Sequence, residues 1–490
     1  MRVEVEYEKA TEENNRHLHS SSGNEKKKGD NVLCELIDDD IEKAEGHYFV
    51  PIVGIEEETF EGIESGVSTF MAEGAVFLDG ALQIASDASI EMGSIYNYTE
   101  ESGENGKMRW RRLQSRHSRR LRPVGKKKIL VVRADAYDQS TTPNMTQLSD
   151  DMFGTSGDGI TLKAQYKKCS HGKLNFSPYD NDDGVVTVQL NEYVAGKDKF
   201  AVQDSMLNAA TKVLGNLPDQ ADHIMLCLPK GTDERDWIAY AYVNHWLSVF
   251  NDDWCQQLST QLHEIGHNLG LSHSGKGGDD YSDKSGMMGY SFKDDDGPLQ
   301  CFNPAKSYML GWYKKSVVEW NPLNNGTWFG IIVGVTDFDG TETVIVKVPR
   351  KENGKDLYIG YNRQKGFNQG VVDEGDNVVI VEQAEGYEVS NFLEGLHPGS
   401  SERKGSLSLF EVTSSASKRT IDNFENSGKN LIIDFMRYGD IESIDKAFVA
   451  IYFDDCTFPS CCTGSMCDKI PDVSLLVFLA ATSLCCSYFA

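Results

Sequence analysis

The pattern of apolar and polar positions divides the chain into a mixed α/β part and a β-rich part. Apolar runs at 128–133 and 223–228 predict buried strands, and the helical spacing of apolar residues over 200–214 predicts an amphipathic helix. Residues 239–250 predict a single edge strand. A further helix is expected from about Asp253 to Leu269, with Asp252 or Asp253 capping its first amides. We therefore expect a mixed sheet with helices packed on it.

After Tyr313 the pattern changes to short β-branched and aromatic runs separated by Gly, Asn and Asp. Such runs predict an antiparallel β domain. The predicted strands lie at 328–335, 343–348, 357–361, 378–381 and 431–435. The fold class expected for the whole chain is α+β.

Residues 263–273 read His-Glu-Ile-Gly-His-Asn-Leu-Gly-Leu-Ser-His, which has the spacing H-E-x-x-H-x-x-G-x-x-H. Residues four apart share a helix face, so His263 and His267 can reach one metal ion, with Glu264 beside it as general base. Gly270 can adopt a left-handed conformation, end the helix and let the chain return with His273 as third ligand. Three ligands leave a fourth tetrahedral position for water, as catalytic Zn²⁺ requires.

A second motif follows at 286–290, Gly-Met-Met-Gly-Tyr. Together with the long histidine motif it resembles the metzincins, zinc peptidases that have a Met-containing turn below the metal. The resemblance makes Met288 the residue of the Met-turn, with Met287 as the other candidate. It also implies that Tyr290 approaches the zinc or the reacting carbonyl group and has a role in the transition state.

Within the metzincins, the chain resembles the gametolysin family of algal secreted peptidases. The likeness rests on the histidine motif, on Met-Gly-Tyr, on Cys-Phe-Asn-Pro-Ala-Lys at 301–306 and on Leu-Gly-Trp-Tyr at 310–313. It runs from about Lys126 to about Trp320, and more loosely to about Asp455. The resemblance implies a metzincin catalytic domain, Zn²⁺ as cofactor, and extracellular or cell-wall proteins or glycoproteins as substrates.

The charge of the chain bears on its partners, and its cysteine content favours an extracytoplasmic location. The net charge of −27 argues against nucleic acid as a partner, because an acidic surface repels phosphates. Disulfides are expected among an even set of eight cysteines, with open connectivity. These are Cys169, Cys227, Cys255, Cys301, Cys456, Cys461, Cys462 and Cys467. The sequence also offers three N-glycosylation candidates, at Asn97, Asn144 and Asn325.

A basic run at 107–133 follows an acidic N-terminal region. An exposed basic boundary ahead of a peptidase domain invites processing, so we expect a propeptide to be released by cleavage near Arg120 or Arg122. Pro123 disfavours cleavage after Arg122, which leaves Arg120 as the better candidate. The alternative interpretation is a solvated basic linker or a polyanion-binding patch.

The two ends of the chain bear on its location. The first twenty residues contain no apolar segment typical of a secretory signal, whereas 473–490 is almost wholly apolar. That tail resembles a glycosylphosphatidylinositol attachment signal, and the alternatives are a short membrane anchor or a buried helix. We expect the protein to be extracellular or at the cell surface.

These observations predict five segments. They are an acidic propeptide-like region with a basic linker at 1–122, a zinc peptidase domain at 126–315, a β-rich domain at 316–455, a Cys-rich segment at 456–470 and the apolar tail at 473–490. The predicted function is zinc-dependent endopeptidase. Two alternatives remain open, a surface adhesion or binding protein with a vestigial or structural metal site, and a zinc amidase acting on another wall component.

Overall fold

The computed structural model describes residues 123–233, 237–384, 389–398, 417–438 and 444–455, preceded by the backbone of nine short strands. Those strands, β1–β9, are Arg2–Glu6, Asn31–Glu35, Phe49–Val53, Ser68–Ala72, Val76–Leu78, Ala81–Gln83, Ile90–Ser94, Glu100–Ser102 and Met108–Trp110. The predicted processing candidates Arg120 and Arg122, the sequon at Asn97, the Cys-rich segment and the apolar tail lie outside the described residues.

The first large sheet is built on six strands, β10–β15. They span Gly125–Asp135, Leu174–Pro178, Val185–Gln189, His223–Leu228, Ala239–Tyr242 and Leu247–Asn251. β10 pairs in parallel with β11, β12 and β13, and β13 pairs in parallel with β15. Only β14 runs antiparallel to its neighbour β15, and its other edge pairs antiparallel with β1.

The helices of this part are α1–α5 and one 3-10 helix. They span Met145–Phe153, Leu162–Cys169, Lys199–Leu214, Leu217–Gln220 and Leu258–Asn268, with the 3-10 helix at Asp252–Gln256. Apolar side chains of α3 pack on those of β10, β13 and β14 in one buried cluster. Every residue of β13 is buried, as expected for a central strand of a parallel sheet covered on both faces.

Two details of the first part differ from the prediction. Residues 239–250 form the hairpin β14–β15 instead of one strand, since Asn244 takes a left-handed φ of +52° between them. The helix with the histidines begins at Leu258, because the preceding residues form the 3-10 helix. Asp252 does not cap that helix; its carboxylate accepts hydrogen bonds from Thr142 N at 2.6 Å and Thr142 Oγ1 at 2.7 Å.

The remaining elements form two further sheets. Strands β16–β25 span Ser274–Gly275, Val317–Glu319, Trp328–Val333, Ile345–Val348, Lys355–Tyr361, Val378–Ala384, Ser390–Leu396, Lys418–Ile421, Leu431–Tyr438 and Lys446–Phe453. Helices α6 and α7 span Pro304–Met309 and Pro322–Asn325, and 3-10 turns lie at Lys314–Ser316, Gly366–Asn368 and Phe424–Asn426.

One of these sheets has the order β16-β22-β21-β20-β19-β17, with parallel pairs at its two ends and antiparallel pairs between them. The other has the order β18-β25-β24-β23 and is antiparallel throughout. Apolar side chains of both sheets share one buried cluster. The fold is therefore mixed α/β, with several sheets and few helices.

The chain divides into two compact units. One comprises Met1–Ser272 and Ser291–Leu299, and the other comprises His273–Tyr290 and Gln300–Ala490. The domain boundaries expected from the sequence, 126–315 and 316–455, stay predictions. A search of the described part of the chain finds no helix with the length and apolar content needed to span a membrane.

Disulfides are present, as the cysteine content predicts. Cys227 on β13 is bonded to Cys255 in the 3-10 helix, which joins the central strand to the turn ahead of α5. Cys169 and Cys301 are each disulfide-bonded as well. The Cys227–Cys255 bond thus fixes the approach to the helix that carries the first two histidines.

Candidate metal centre

The helix α5 places the first two histidines on one buried face. All eleven of its residues are buried, with His263 and His267 at most 1% exposed. Their ring centroids lie 4.8 Å apart, as one helical turn requires. Below the helix, the hydroxyl of Tyr166 donates to the backbone oxygen of Leu262 at 2.8 Å. Burial raises the pKa of Tyr166 well above its ordinary value, so this group stays a donor.

The end of α5 is tied to the β14–β15 hairpin. The side-chain amide of Asn268 donates to the backbone oxygens of Tyr242 at 3.0 Å and Leu247 at 2.8 Å. The backbone N–H of Asn244 donates to the oxygen of His267 at 2.9 Å. The hairpin therefore satisfies polar groups at the C-terminal end of the helix and fixes the direction in which the helix axis points.

Gly270 directly follows the helix and has a φ of +90°. This conformation is strained for residues with a Cβ atom, and here it lets Gly270 N donate to His267 O at 2.8 Å while Leu271 N donates to Gly266 O at 3.0 Å. The chain turns at this point. Nδ1 of His267 lies 2.8 Å from the backbone oxygen of Leu271. When Nδ1 carries the proton and donates a hydrogen bond to this oxygen, Nε2 is left as the ligand atom.

His273 follows the turn and is 5% exposed. Its ring packs against that of Tyr281 with centroids 4.2 Å apart, and its backbone oxygen accepts from Ser390 N at 3.1 Å. The candidate ligand nitrogens of His263, His267 and His273 all lie within 4.8 Å of one another. Among the described residues, this is the only group of three or more potential ligands that converges in this way.

Glu264 and Met288, the predicted Met-turn residue, are also buried in this part of the chain. Glu264, next to His263 on α5, is 1% exposed. Met288 is 1% exposed, and its backbone oxygen accepts from the N–H of Ser274, the residue after His273, at 2.7 Å. Tyr290 is half-buried. The roles assigned to these residues from the sequence remain predictions.

The glycosylation candidates within the described residues are at the surface. Asn144 and Asn325 are exposed, and the side chain of Asn144 caps α1 by accepting from Gln147 N at 2.9 Å. Sequence reasoning missed the contacts that orient the ligands, those of Leu271, Tyr281 and Asn268. The contact of Leu271 is made by its backbone oxygen, so the residue type gives no indication of it. Asn268 is a common residue in helices, and its sequence context does not predict contacts to a distant hairpin.

The fold and the centre define a mixed α/β protein with a buried three-histidine site of the kind that binds a transition metal. Residues 127–369 match the family described as gametolysin peptidase M11. This domain thus belongs to the gametolysin family, which confirms the family resemblance seen in its motifs. Membership implies a metallopeptidase, with a bound metal and protein substrates. A search of curated proteins found no match to the chain.

Proposed function

We propose that the protein is a zinc-dependent endopeptidase that cleaves extracellular or cell-wall proteins and glycoproteins. The observation that carries the proposal is the convergence of His263, His267 and His273 within 4.8 Å, inside a gametolysin-family domain. Glu264 on the same helix completes the set of residues that hydrolysis requires. A structural zinc site is usually closed by four protein ligands, whereas this motif provides three.

The donor set fits Zn²⁺. Neutral imidazole nitrogens are common zinc ligands, and His267 already has its other ring nitrogen against a backbone oxygen, as zinc-binding histidines usually do. The three histidines would hold the ion through one ring nitrogen each. When bound, zinc supplies Lewis-acid chemistry, acidifying water and polarising a peptide carbonyl group.

Glu264 is the proposed general base and acid. Its carboxylate would take a proton from the attacking water and later deliver it to the leaving amine. Burial at 1% exposure keeps bulk water away from this carboxylate, which favours proton transfer within the site. Tyr290 is the proposed hydrogen-bond donor to the developing oxyanion, consistent with its half-buried position.

The finer architecture is part of the same proposal. We infer a metzincin-type catalytic domain, supported by the long motif on α5, the turn at Gly270 and the buried Met288. The β-rich part would be an accessory domain. This is supported by the six-stranded sheet that begins with β16 and the four-stranded sheet that begins with β18. Their antiparallel pairs agree with the short β-branched and aromatic runs after Tyr313.

Latency and location are proposed from the flanking sequence. Cleavage near Arg120 or Arg122 would release the N-terminal region, and pairing of β1 with the edge strand β14 supports a covering role for that region. Attachment to a membrane through the apolar tail at 473–490, and N-glycosylation of the exposed Asn144 and Asn325, would fit a cell-surface enzyme.

The substitution Glu264→Gln tests the function. It keeps the size of the side chain but removes the base, so peptide hydrolysis should fall by about 10²–10⁴-fold while zinc stays bound. Hydrolysis is measured on casein and on a peptide library, and zinc by elemental analysis. The matched control is Glu352→Gln, at an exposed position, which should leave both quantities unchanged.

Two results would contradict the proposal. Substantial hydrolysis by Glu264→Gln would remove Glu264 from the base role. A zinc-loaded wild-type chain, with its N-terminal region removed, that cleaves no member of the library would favour a binding protein over a peptidase.

A further inference from the structure

A buried carboxylate lies at the centre of a hydrogen-bond network shortly after His273. Asp283 is 2% exposed and accepts four hydrogen bonds. Its Oδ1 accepts from Ser285 N at 2.9 Å and Ser285 Oγ at 2.5 Å. Its Oδ2 accepts from Ser274 Oγ at 2.5 Å and Asn303 Nδ2 at 3.0 Å. These four bonds use the full acceptor capacity of a carboxylate.

Ser274 links this network to the third histidine, because it directly follows His273 in the chain. Its hydroxyl donates to Asp283 and accepts from Ser390 Oγ at 2.7 Å and Asn303 Nδ2 at 2.8 Å. Its backbone N–H donates to Met288 O at 2.7 Å. Both polar groups of Ser274 are thus held, which restricts the backbone that carries the His273 ring.

The neighbouring strand and turn are fixed to the same residues. Ser390 on β22 pairs with Ser274 on β16, and Ser390 N donates to the backbone oxygen of His273 at 3.1 Å. Gly289 packs so closely on Asp283 that a Cβ atom there would lie 1.8 Å from the Asp283 backbone oxygen. The turn with Met288 can approach Asp283 only because position 289 lacks a side chain.

We propose that Asp283 is a positioning residue for the metal centre, which fixes His273 through Ser274. The inference rests on the proposed function in one respect, that His273 is a zinc ligand. Asp283 itself does not ligate the metal. It acts as the common acceptor that orders the donors of Ser274, Ser285 and Asn303.

A carboxylate suits this point because each of its oxygens faces a group that can only donate, Ser285 N–H at Oδ1 and the Asn303 side-chain NH₂ at Oδ2. An asparagine in its place has one acceptor oxygen and an NH₂ group, so at least one buried donor would face another donor. The backbone at Ser274 would relax, and His273 would lose its fixed orientation. Partners that orient a metal ligand in this way affect affinity by about 10–100-fold when mutated.

The test compares the full-length variants Asp283→Asn and Asp280→Asn. Asp280 lies three residues earlier and is exposed, so it is a matched control. Zinc affinity is measured by competition with a chromophoric chelator, and ligand geometry by the visible spectrum of the cobalt(II)-loaded protein. We expect Asp283→Asn to bind zinc about 10–100-fold more weakly, with a changed cobalt spectrum, and Asp280→Asn to match wild type.

Thermal unfolding of the metal-free proteins separates positioning from general stability. A purely structural role would lower the melting temperature but leave the zinc affinity of the folded protein as in wild type. Wild-type affinity and an unchanged cobalt spectrum in folded Asp283→Asn would overturn the proposal. If that variant does not fold, Ser285→Ala and Ser390→Ala each remove one hydrogen bond of the network, and unchanged zinc affinity in both would overturn it as well.

The result is independent of peptidase activity, since affinity and spectrum need only the metal. One outcome is a wild-type chain that binds zinc, loses zinc affinity on Asp283→Asn and yet cleaves no peptide. That result would contradict the proposed function but support this inference. A wild-type chain with no zinc affinity would sink both.

Discussion

The buried histidines of the segment 263–273 can be compared with a buried histidine at the start of β13. His223, the first residue of β13, is fully buried, with its ring edge-on to Phe176 at 5.8 Å between centroids. Neither of its ring nitrogens has a hydrogen-bond partner among the described residues. Burial and imidazole chemistry are therefore common to both regions. What distinguishes the candidate metal centre is convergence, because in the described part of the chain only this segment brings three potential ligand atoms close together.

The electrostatic surroundings of His223 support this distinction. The pKa of His223 is lowered to about 4, mainly because burial desolvates the ring. Asp222 opposes this shift, whereas Lys127 and His245 contribute to it. A neutral ring suits a packed interior, where charging it is costly. His223 is thus a neutral ring held by packing against its neighbours. The three histidines of the centre instead direct their nitrogens toward one another, as ligands of a shared cation do.

Removing one histidine from each region gives the largest expected difference. His267→Ala should abolish stoichiometric zinc binding and reduce hydrolysis to that of a metal-free sample, because two ligands hold zinc poorly. His223→Leu should keep both zinc and activity, since an apolar side chain replaces an unpartnered polar one. Elemental analysis and peptide hydrolysis measure the two variants. Loss of zinc in folded His223→Leu would contradict the distinction between a packed histidine and a metal-binding one.

The Cys227–Cys255 disulfide joins the two regions, since Cys227 lies on the strand of His223 and Cys255 precedes α5. Replacing both cysteines by serine should lower the free energy of unfolding by about 3–4 kcal/mol, the value expected for a loop of this length. The folded variant should keep its zinc, because all three ligands come from 263–273. Urea unfolding with zinc analysis checks both points, and a stability within about 1 kcal/mol of wild type would contradict the first.

Acid should lower the free energy of unfolding through protonation of His223. The folded pKa, about 4, lies below the ordinary value of 6.5, so the unfolded chain binds the proton more readily. Stability from this group is complete above pH 6.5 and is lost as the pH falls toward 4. The loss is about 3 kcal/mol.

Urea unfolding of the metal-free protein at pH 7 and pH 4.5 measures this effect without interference from zinc release. The variant His223→Leu provides the control, since it has no proton to bind at this position. Equal acid sensitivity of the variant and the wild type would show that other groups cause the loss.

Two glycines give the smallest and most selective contrast. Gly270, between the second and third ligands, and Gly172, after α2, have φ of +90° and +74°, and neither has a close atom where a Cβ would lie. Replacing either by alanine should destabilise the fold by about 1 kcal/mol. Only Gly270→Ala should also weaken zinc binding, measured by chelator competition. Equal zinc affinities in the two variants would show that the turn at Gly270 does not position His273.

The central strands β10 and β13 could be predicted from the sequence, because each contains a buried, nearly uninterrupted apolar run, whereas the partly exposed β11 and β12 were not predicted. The strand at 223–228 was predicted with its observed bounds, and the helix at 200–214 to within one residue. The hairpin at Asn244 and the late start of α5 could not be predicted in this way. Both depend on hydrogen bonds to distant residues, Asp252 with Thr142 and Asn268 with Tyr242.

The sequence by itself determined the set of candidate ligands and the family, since the eleven residues 263–273 contain every histidine of the centre at helical and turn spacing. Tertiary structure alone decided which groups hold those ligands in place. The groups concerned are the backbone oxygen of Leu271, the ring of Tyr281 and the buried carboxylate of Asp283. None of these residues belongs to a sequence motif whose spacing would identify it. The physical reason is that ligand chemistry resides in residue type, whereas orientation depends on contacts made only when separate segments pack together.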